Sequence, residues 1–367
     1  MPDFQLSEGE ALALTLFLLG DDAVRLRQVR TQHPTATAAR GREIFVALNC
    51  AGCHTYPGIR SWRNAPDLRR SAGRLRPEWL AGYLRGPHAV RPFGFYPGSG
   101  SRMPDFRLTA VAADSIQAYL TRRALPFDGR RVAPPDTTLS AYSMVKAETL
   151  LRERLSCLGC HRLGSDGGRI GPALGDVATR LTPEAIAAIV AGPQAAMPGT
   201  IMPRAPLTPE RRELITAFLL QRAPDAGDSN YLSLIDHPIR PPGTGTPARP
   251  RAGAAIYAAY CAVCHGAEGE GNGYNARYLP VQPTPHASAP YMSTRPDDTL
   301  FDGIHAGGYI LNRSHRMPAW GETLERGQIW RLVSYLRVLC DCQGPAWSRD
   351  GRTPDGVPDD GRTRANG

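Results

Sequence analysis

Several things are scarce in this chain. No stretch of its 367 residues approaches the length of a membrane span. The N-terminus offers no basic n-region: Met1 to Glu10 is acidic, and the apolar run Ala11 to Leu19 has no cleavage-site pattern behind it. The sequence as given therefore carries no export signal. Aromatic residues make up only 7%, against 38 glycines and 34 prolines. Such a composition builds small cores with long loops. The formal charge is +9, yet there is no nucleic-acid-binding motif and no basic aromatic pattern, which excludes a nucleic-acid partner. Cysteine and histidine are rare as well, with eight and nine copies.

Those few are not scattered. Six cysteines and three histidines fall into Cys50-Ala51-Gly52-Cys53-His54, Cys157-Leu158-Gly159-Cys160-His161 and Cys261-Ala262-Val263-Cys264-His265. Each is Cys-x-x-Cys-His, the attachment signal for a c-type haem. Two thiols add to the porphyrin vinyl groups, and the adjacent histidine supplies an axial ligand to iron. The expected cofactors are three covalently bound haem c groups, held by Cys50, Cys53, Cys157, Cys160, Cys261 and Cys264, with His54, His161 and His265 on iron. A haem can fill the centre of a domain too small to have a full core. Its two propionates are acidic, so three haems add roughly −6 and leave a mildly basic holoprotein. An acidic redox partner suits that balance.

The motifs recur about one small domain apart. Each sits between two helical patterns. Before the first lies Gly41-Arg42-Glu43-Ile44-Phe45, before the third Gly253-Ala254-Ala255-Ile256-Tyr257, and before the second Leu150 and Leu151. After each comes a Met-Pro pair and then an amphipathic helix. The apolar positions of those helices are Ile116, Tyr119 and Leu120; Leu214, Phe218 and Leu219; and Trp330, Val333, Tyr335 and Leu336.

Each unit resembles a class I cytochrome c domain. The resemblance covers 36–125, 141–223 and 249–340 and implies an all-α fold of three tandem domains joined by Pro-rich linkers. In that family an N-terminal helix with a glycine and an aromatic crosses a C-terminal helix, and a loop methionine closes the sixth iron position. The second unit departs most, since its first helix lacks that glycine and aromatic. By register the distal ligands are Met103, followed by Leu108-Thr109; Met202, followed by Leu207-Thr208; and Met317, followed by Thr323-Leu324. Met197-Pro198 shares the loop of Met202, but nothing matches behind it. His88, His305 and His315 are the competing ligands. The resemblance also implies a proline carbonyl that accepts from the ligand histidine; Pro66, Pro172 and Pro283 are the expected ones.

Met1-Pro2-Asp3-Phe4-Gln5-Leu6-Ser7 reads against Met103-Pro104-Asp105-Phe106-Arg107-Leu108-Thr109 almost position for position. Residues 1–20 are therefore expected to be the distal loop and last helix of a truncated fourth domain, an orphan helix whose Cys-x-x-Cys-His half is absent. A start codon inside a longer gene would explain both this remnant and the missing export signal; loss of half a domain in evolution, with the helix kept as packing, is the alternative. The segment 341–367 reads as a disordered tail. Cys340 and Cys342 are left over; no histidine follows them, and a thiol pair, an intermolecular link or a metal-binding pair are all open.

The expected function is relay of single electrons between a respiratory donor and acceptor; the resemblance implies a periplasmic cytochrome, outside the bacterial inner membrane, that serves as a subunit of a membrane-associated dehydrogenase or quinol-oxidising complex or has a membrane-bound respiratory complex as partner. Three His/Met irons leave no open site for substrate. The alternative is a peroxidase-like enzyme with one five-coordinate haem, placed in the second domain as the least regular.

Overall fold

Helix starts in this chain are set by short polar side chains. Thr37, Thr109, Ser140, Thr182 and Thr208 each accept a hydrogen bond from a backbone N–H of the first turn that follows. The helices they open are α1 (Ala38–Ala47), α3 (Ala110–Arg122), α4 (Ala141–Glu153), α5 (Pro183–Ala191) and α6 (Pro209–Gln221). Proline at the first helical position opens α2 (Pro77–Arg85), where a missing N–H costs nothing. The remaining longer helices are α7 (Gly253–Tyr260), α8 (Asp297–Ala306) and α9 (Arg326–Cys340). Glu325 and Gln328 start α9 with a reciprocal capping box. This computed structural model describes residues 35–55, 65–87, 90, 103–124, 133–224 and 253–348. The expected remnant at 1–20 lies outside them, as do His88 and the end of the chain after 348.

The described residues are almost wholly helical. Their one sheet is a two-residue antiparallel hairpin, Arg162 opposite Gly167 and Leu163 opposite Asp166. Among them no helix is long and apolar enough to cross a membrane. The chain divides into two compact units: Met1–His88 with Met103–Pro126, and Ala89–Arg102 with Phe127–Gly367.

In the first unit α1 and α2 pack on α3. Ile44 and Phe45 of α1 meet Ile116, Tyr119 and Leu120 of α3, with Leu80 and Leu84 of α2 completing the core. The α1–α3 crossing is close because Gly41 has no side chain. A Cβ there would lie 1.8 Å from the main-chain oxygen of Ser115.

The second unit contains two further helix crossings. In one, α4 packs on α6, and α5 also rests on α6. Ala147 and Leu151 are the buried residues of α4, facing a buried run from Ile215 to Leu219. Phe218 and Leu219 are buried as the spacing suggested, whereas Leu214 is only half-buried. In the other, α7 packs on α9, and a Cβ on Gly253 would lie 2.1 Å from the oxygen of Arg331. The buried face of α9 is Ile329, Leu332, Val333, Leu336 and Cys340, with Trp330 and Tyr335 at its margin.

These two halves are joined across a polar seam. Arg316, 7% exposed, donates from Nη2 to Asp166 at 2.9 Å, and Arg152 approaches the same carboxylate at 3.4 Å. His315 Nε2 donates to the carbonyl of Arg152, and the backbone N–H of Arg204 donates to Thr323 Oγ1. Thr323 is thus spent on the seam, and Glu325 caps the helix instead.

Cys340 and Cys342 form a disulfide with each other. Asp341 between them adopts the left-handed conformation (φ 45°), which turns the chain back on itself at the end of α9. Cys342 packs against the core. The first residues of the expected tail are therefore part of the fold.

Candidate haem-attachment sites

All three Cys-x-x-Cys-His motifs fold as one tight turn that begins right after the first helix of its unit. The turns are Cys50–Gly52, Cys157–Cys160 and Ala262–His265. The helical repeat brings the two cysteines to one side. The histidine N–H closes the turn onto the carbonyl of the first cysteine in every copy: His54 to Cys50, His161 to Cys157 and His265 to Cys261. None of the six motif cysteines is in a disulfide.

Burial raises five of these thiols. It pushes Cys50 up to about 12, with backbone hydrogen bonding working against it and Cys53 adding to it. Cys157 rises to about 11 and Cys261 to about 12, again chiefly through burial. Cys160 rises through burial and then through the neighbouring charge of Cys264, a sulfur from the other motif of the second unit. Protonated thiols suit the attachment chemistry, because S–H adds across a vinyl C=C with no atom left over.

The ring of each motif histidine is held by the same kind of bond. His54 Nδ1 donates to the carbonyl of Pro66 at 3.0 Å, His161 Nδ1 to Pro172 at 2.7 Å, and His265 Nδ1 to Thr284 at 2.9 Å. That fixes the tautomer, assigns Nε2 to a metal and raises the basicity of the ring. Two of the three acceptors are the expected prolines. In the third site the acceptor is Thr284, one residue after Pro283. Burial also depresses His54 and His265, against the opposing effect of the carbonyl bond, so both rings are held neutral, the form that ligates iron. Around His161 the fit is tight enough to require glycine: a Cβ on Gly171 would lie 2.4 Å from ring Cε1. Such a cradle, an imidazole fixed through Nδ1 and two unpaired cysteines beside it fit a covalently attached haem.

The expected distal methionines lie in the loop before the last helix of each unit. Met103 packs against the first core, and Met317 against the core around α9. Met202 is half-buried, its N–H donating to Thr200 Oγ1. Met197 instead ends the short helix Pro193–Ala196. Of the competing histidines, His305 stacks on Phe301, and a Cβ on Gly321 would collide with its ring. His315 is engaged with Arg152 across the seam.

One neighbour of His265 does not show in the motif pattern. His286 stacks face to face on His265, with ring centroids 4.1 Å apart and planes 13° apart, and its Nδ1 lies 3.2 Å from the Tyr257 hydroxyl. Tyr257 is the aromatic of the helix that precedes this motif. It therefore reaches the ligand ring through His286. A histidine following a haem motif inside a Pro-rich loop is the one sequence signal for it.

Comparison with known proteins locates two of these units independently. Residues 38–123 match the family model described as cytochrome c, and residues 248–336 match that described as cytochrome C oxidase, cbb3-type, subunit III. No curated protein shows significant similarity to the chain. Among solved structures, the chain is similar to one in the Kuenenia stuttgartiensis reducing HAO-like protein complex Kustc0457/Kustc0458. The identity is 21%, over 53% of this chain and 85% of that one, with a TM-score of 0.21, a likeness too weak to bear on the fold. Cytochrome c domains bind haem c covalently and serve haem-based electron transfer. The chain thus contains two cytochrome c domains, each with its own attachment motif.

Proposed function

We propose that the chain is a three-haem electron carrier that relays single electrons between a redox donor and an acceptor protein. The observation that carries this reading is the threefold recurrence of one arrangement: a Cys-x-x-Cys-His turn whose histidine is pinned through Nδ1 to a backbone carbonyl. The copy at 157–161 has it in full. Cys50 and Cys53, Cys157 and Cys160, and Cys261 and Cys264 are the attachment thiols. His54, His161 and His265 are the proximal ligands, and Met103, Met202 and Met317 the distal ones.

Bound haem iron takes up and releases one electron at a time. What the protein supplies is rigidity and exclusion. The carbonyl bonds hold each imidazole at one orientation, the thioethers prevent dissociation, and the apolar crossings keep water from the metal. A soft methionine thioether as the second ligand would favour the reduced state relative to a second imidazole. Haem attachment of this kind belongs to the space outside the bacterial inner membrane, so the working compartment is the periplasm, with a membrane-bound respiratory complex among the partners.

The decisive measurement is the mass of the haem-loaded chain, together with its oxidised spectrum. Three haems per chain, all low-spin with the weak sulfur-to-iron band at the red end, are expected. A mass showing fewer haems, or a high-spin fraction that binds cyanide rapidly, would overturn the reading.

A further inference from the structure

A single buried amide joins the second and third attachment motifs. Asn275 is 0% exposed. Its Nδ2 donates to the carbonyl of Gly159 at 2.8 Å and lies 3.3 Å from Cys264 Sγ. Its Oδ1 accepts the backbone N–H of Arg169 at 2.7 Å. The amide sits only one way round, because its nitrogen faces a carbonyl and its oxygen faces an N–H. Its own backbone N–H donates to Val263 at 2.9 Å. Gly159 precedes Cys160 and Val263 precedes Cys264. The peptide beside one anchoring cysteine and the sulfur of the other therefore share one nitrogen atom.

The surroundings are shaped for this approach. A Cβ on Gly168 would lie 2.3 Å from the Gly159 oxygen and 2.8 Å from Asn275 Oδ1, and one on Gly159 would lie 2.0 Å from the oxygen of Arg316. Neither side chain could be accommodated without moving backbone. A buried carbonyl and a buried N–H that share one partner are left unsatisfied together if that partner is removed, so the contact is cooperative.

We propose that Asn275 is a positioning residue that fixes the second and third attachment sites as one closely coupled haem pair. This rests on the reading that both motifs carry haem. Electron exchange falls steeply with separation, and the cysteines that anchor the two rings stand side by side at this amide. The second unit is then a two-haem module rather than two independent carriers. Asn275 acts through the backbone of one motif and the sulfur of the other, and touches neither iron.

Two strongly absorbing chromophores held close in a fixed orientation split the Soret circular dichroism into a bisignate couplet. The test uses the full haem-loaded chain and two variants. N275L keeps the volume and removes the amide; N275S keeps a polar group too short to reach Gly159. The wild type should show the couplet. Both variants should lose it while keeping the sulfur-to-iron band. A simple unsplit Soret band in the wild type, or an intact couplet in either variant, overturns the proposal. So does loss of the sulfur-to-iron band along with the couplet in both variants, which would make Asn275 a core residue and nothing more. Mass mapping of the haem peptides separates this from failure of the underlying reading. A missing haem at Cys157 and Cys160, or at Cys261 and Cys264, would fell the three-haem assignment itself.

Discussion

A methyl group built on Gly52 would meet first the side chain of Asn49, 2.9 Å from its Nδ2; one built on Gly159 would sit 2.0 Å from the main-chain oxygen of Arg316. The two glycines hold the same place in their motifs. In the first unit the neighbour is a side chain that can swing away. In the second it is backbone from a distant part of the chain. The third motif has Val263 at this place, whose carbonyl accepts the Asn275 N–H. Attachment chemistry thus fixes two cysteines and a histidine and leaves the positions between them to packing. Where the motif faces its own unit, the middle position is tolerant. Where it faces another motif, that position becomes part of a seam.

The largest expected effect tests this difference directly. G159A should destabilise the second unit by about 1–3 kcal/mol, the range for forcing extra atoms into packed backbone. G52A should stay within about 0.5 kcal/mol, as surface-like substitutions do. Denaturant midpoints of the two variants should therefore separate clearly, and equal shifts would remove the distinction.

A similar contrast holds at the helix crossings. Gly41 and Gly253 allow their helices to touch, whereas the α4 crossing has Ala147, 0% exposed, with Leu151 four residues on. This matches the four-residue spacing of Gly41 to Phe45 and Gly253 to Tyr257, moved along the chain relative to the cysteines. G41A should cost about 1–3 kcal/mol by collision with Ser115. A147G should cost only about 1 kcal/mol, mostly through helix propensity and a lost methyl. If A147G proved neutral or stabilising, α4 would not be using its methyl as packing.

Most of what is local is legible in the amino-acid sequence. Thr109 and Thr208 sit at matched offsets behind Met103 and Met202 because each caps the last helix, and capping is a short-range hydrogen bond with a clear residue preference. Pro66 and Pro172 are legible because each follows its motif histidine at nearly the same offset in the sequence. Thr284 is not, because three prolines crowd that loop and sequence order alone does not say which carbonyl turns inward. Ala147 is hidden by the expectation of a glycine, although a small residue is all the crossing needs. Asn275 is out of reach entirely: its partners Gly159 and Arg169 lie more than a hundred positions away. The Cys340–Cys342 bond depends on the left-handed turn at Asp341, a backbone state the sequence does not announce.

The smallest expected effect separates the units by pH. Behind the carbonyl that holds His54, Asp67 caps the short helix Leu68–Ala72 and is gripped by Arg69 through Nε and Nη2. Burial alone would raise this carboxyl. The side-chain and backbone hydrogen bonds from Arg69 outweigh it and hold Asp67 below its ordinary 3.8. The folded state thus binds this proton more weakly than the unfolded state. Its contribution is fully present above the unfolded value and is lost as pH falls through the folded one. The second unit has Ala173 after its Pro172 and offers no carboxylate there. D67N should therefore weaken the first unit near neutrality by less than G159A weakens the second, and should flatten the first unit's acid limb below the ordinary carboxylate value. Thermal melts across that range, with the first unit followed through the spectrum of its own haem, provide the check. An acid limb unchanged by D67N would mean that the grip of Arg69 contributes nothing to holding Pro66 against the ligand histidine.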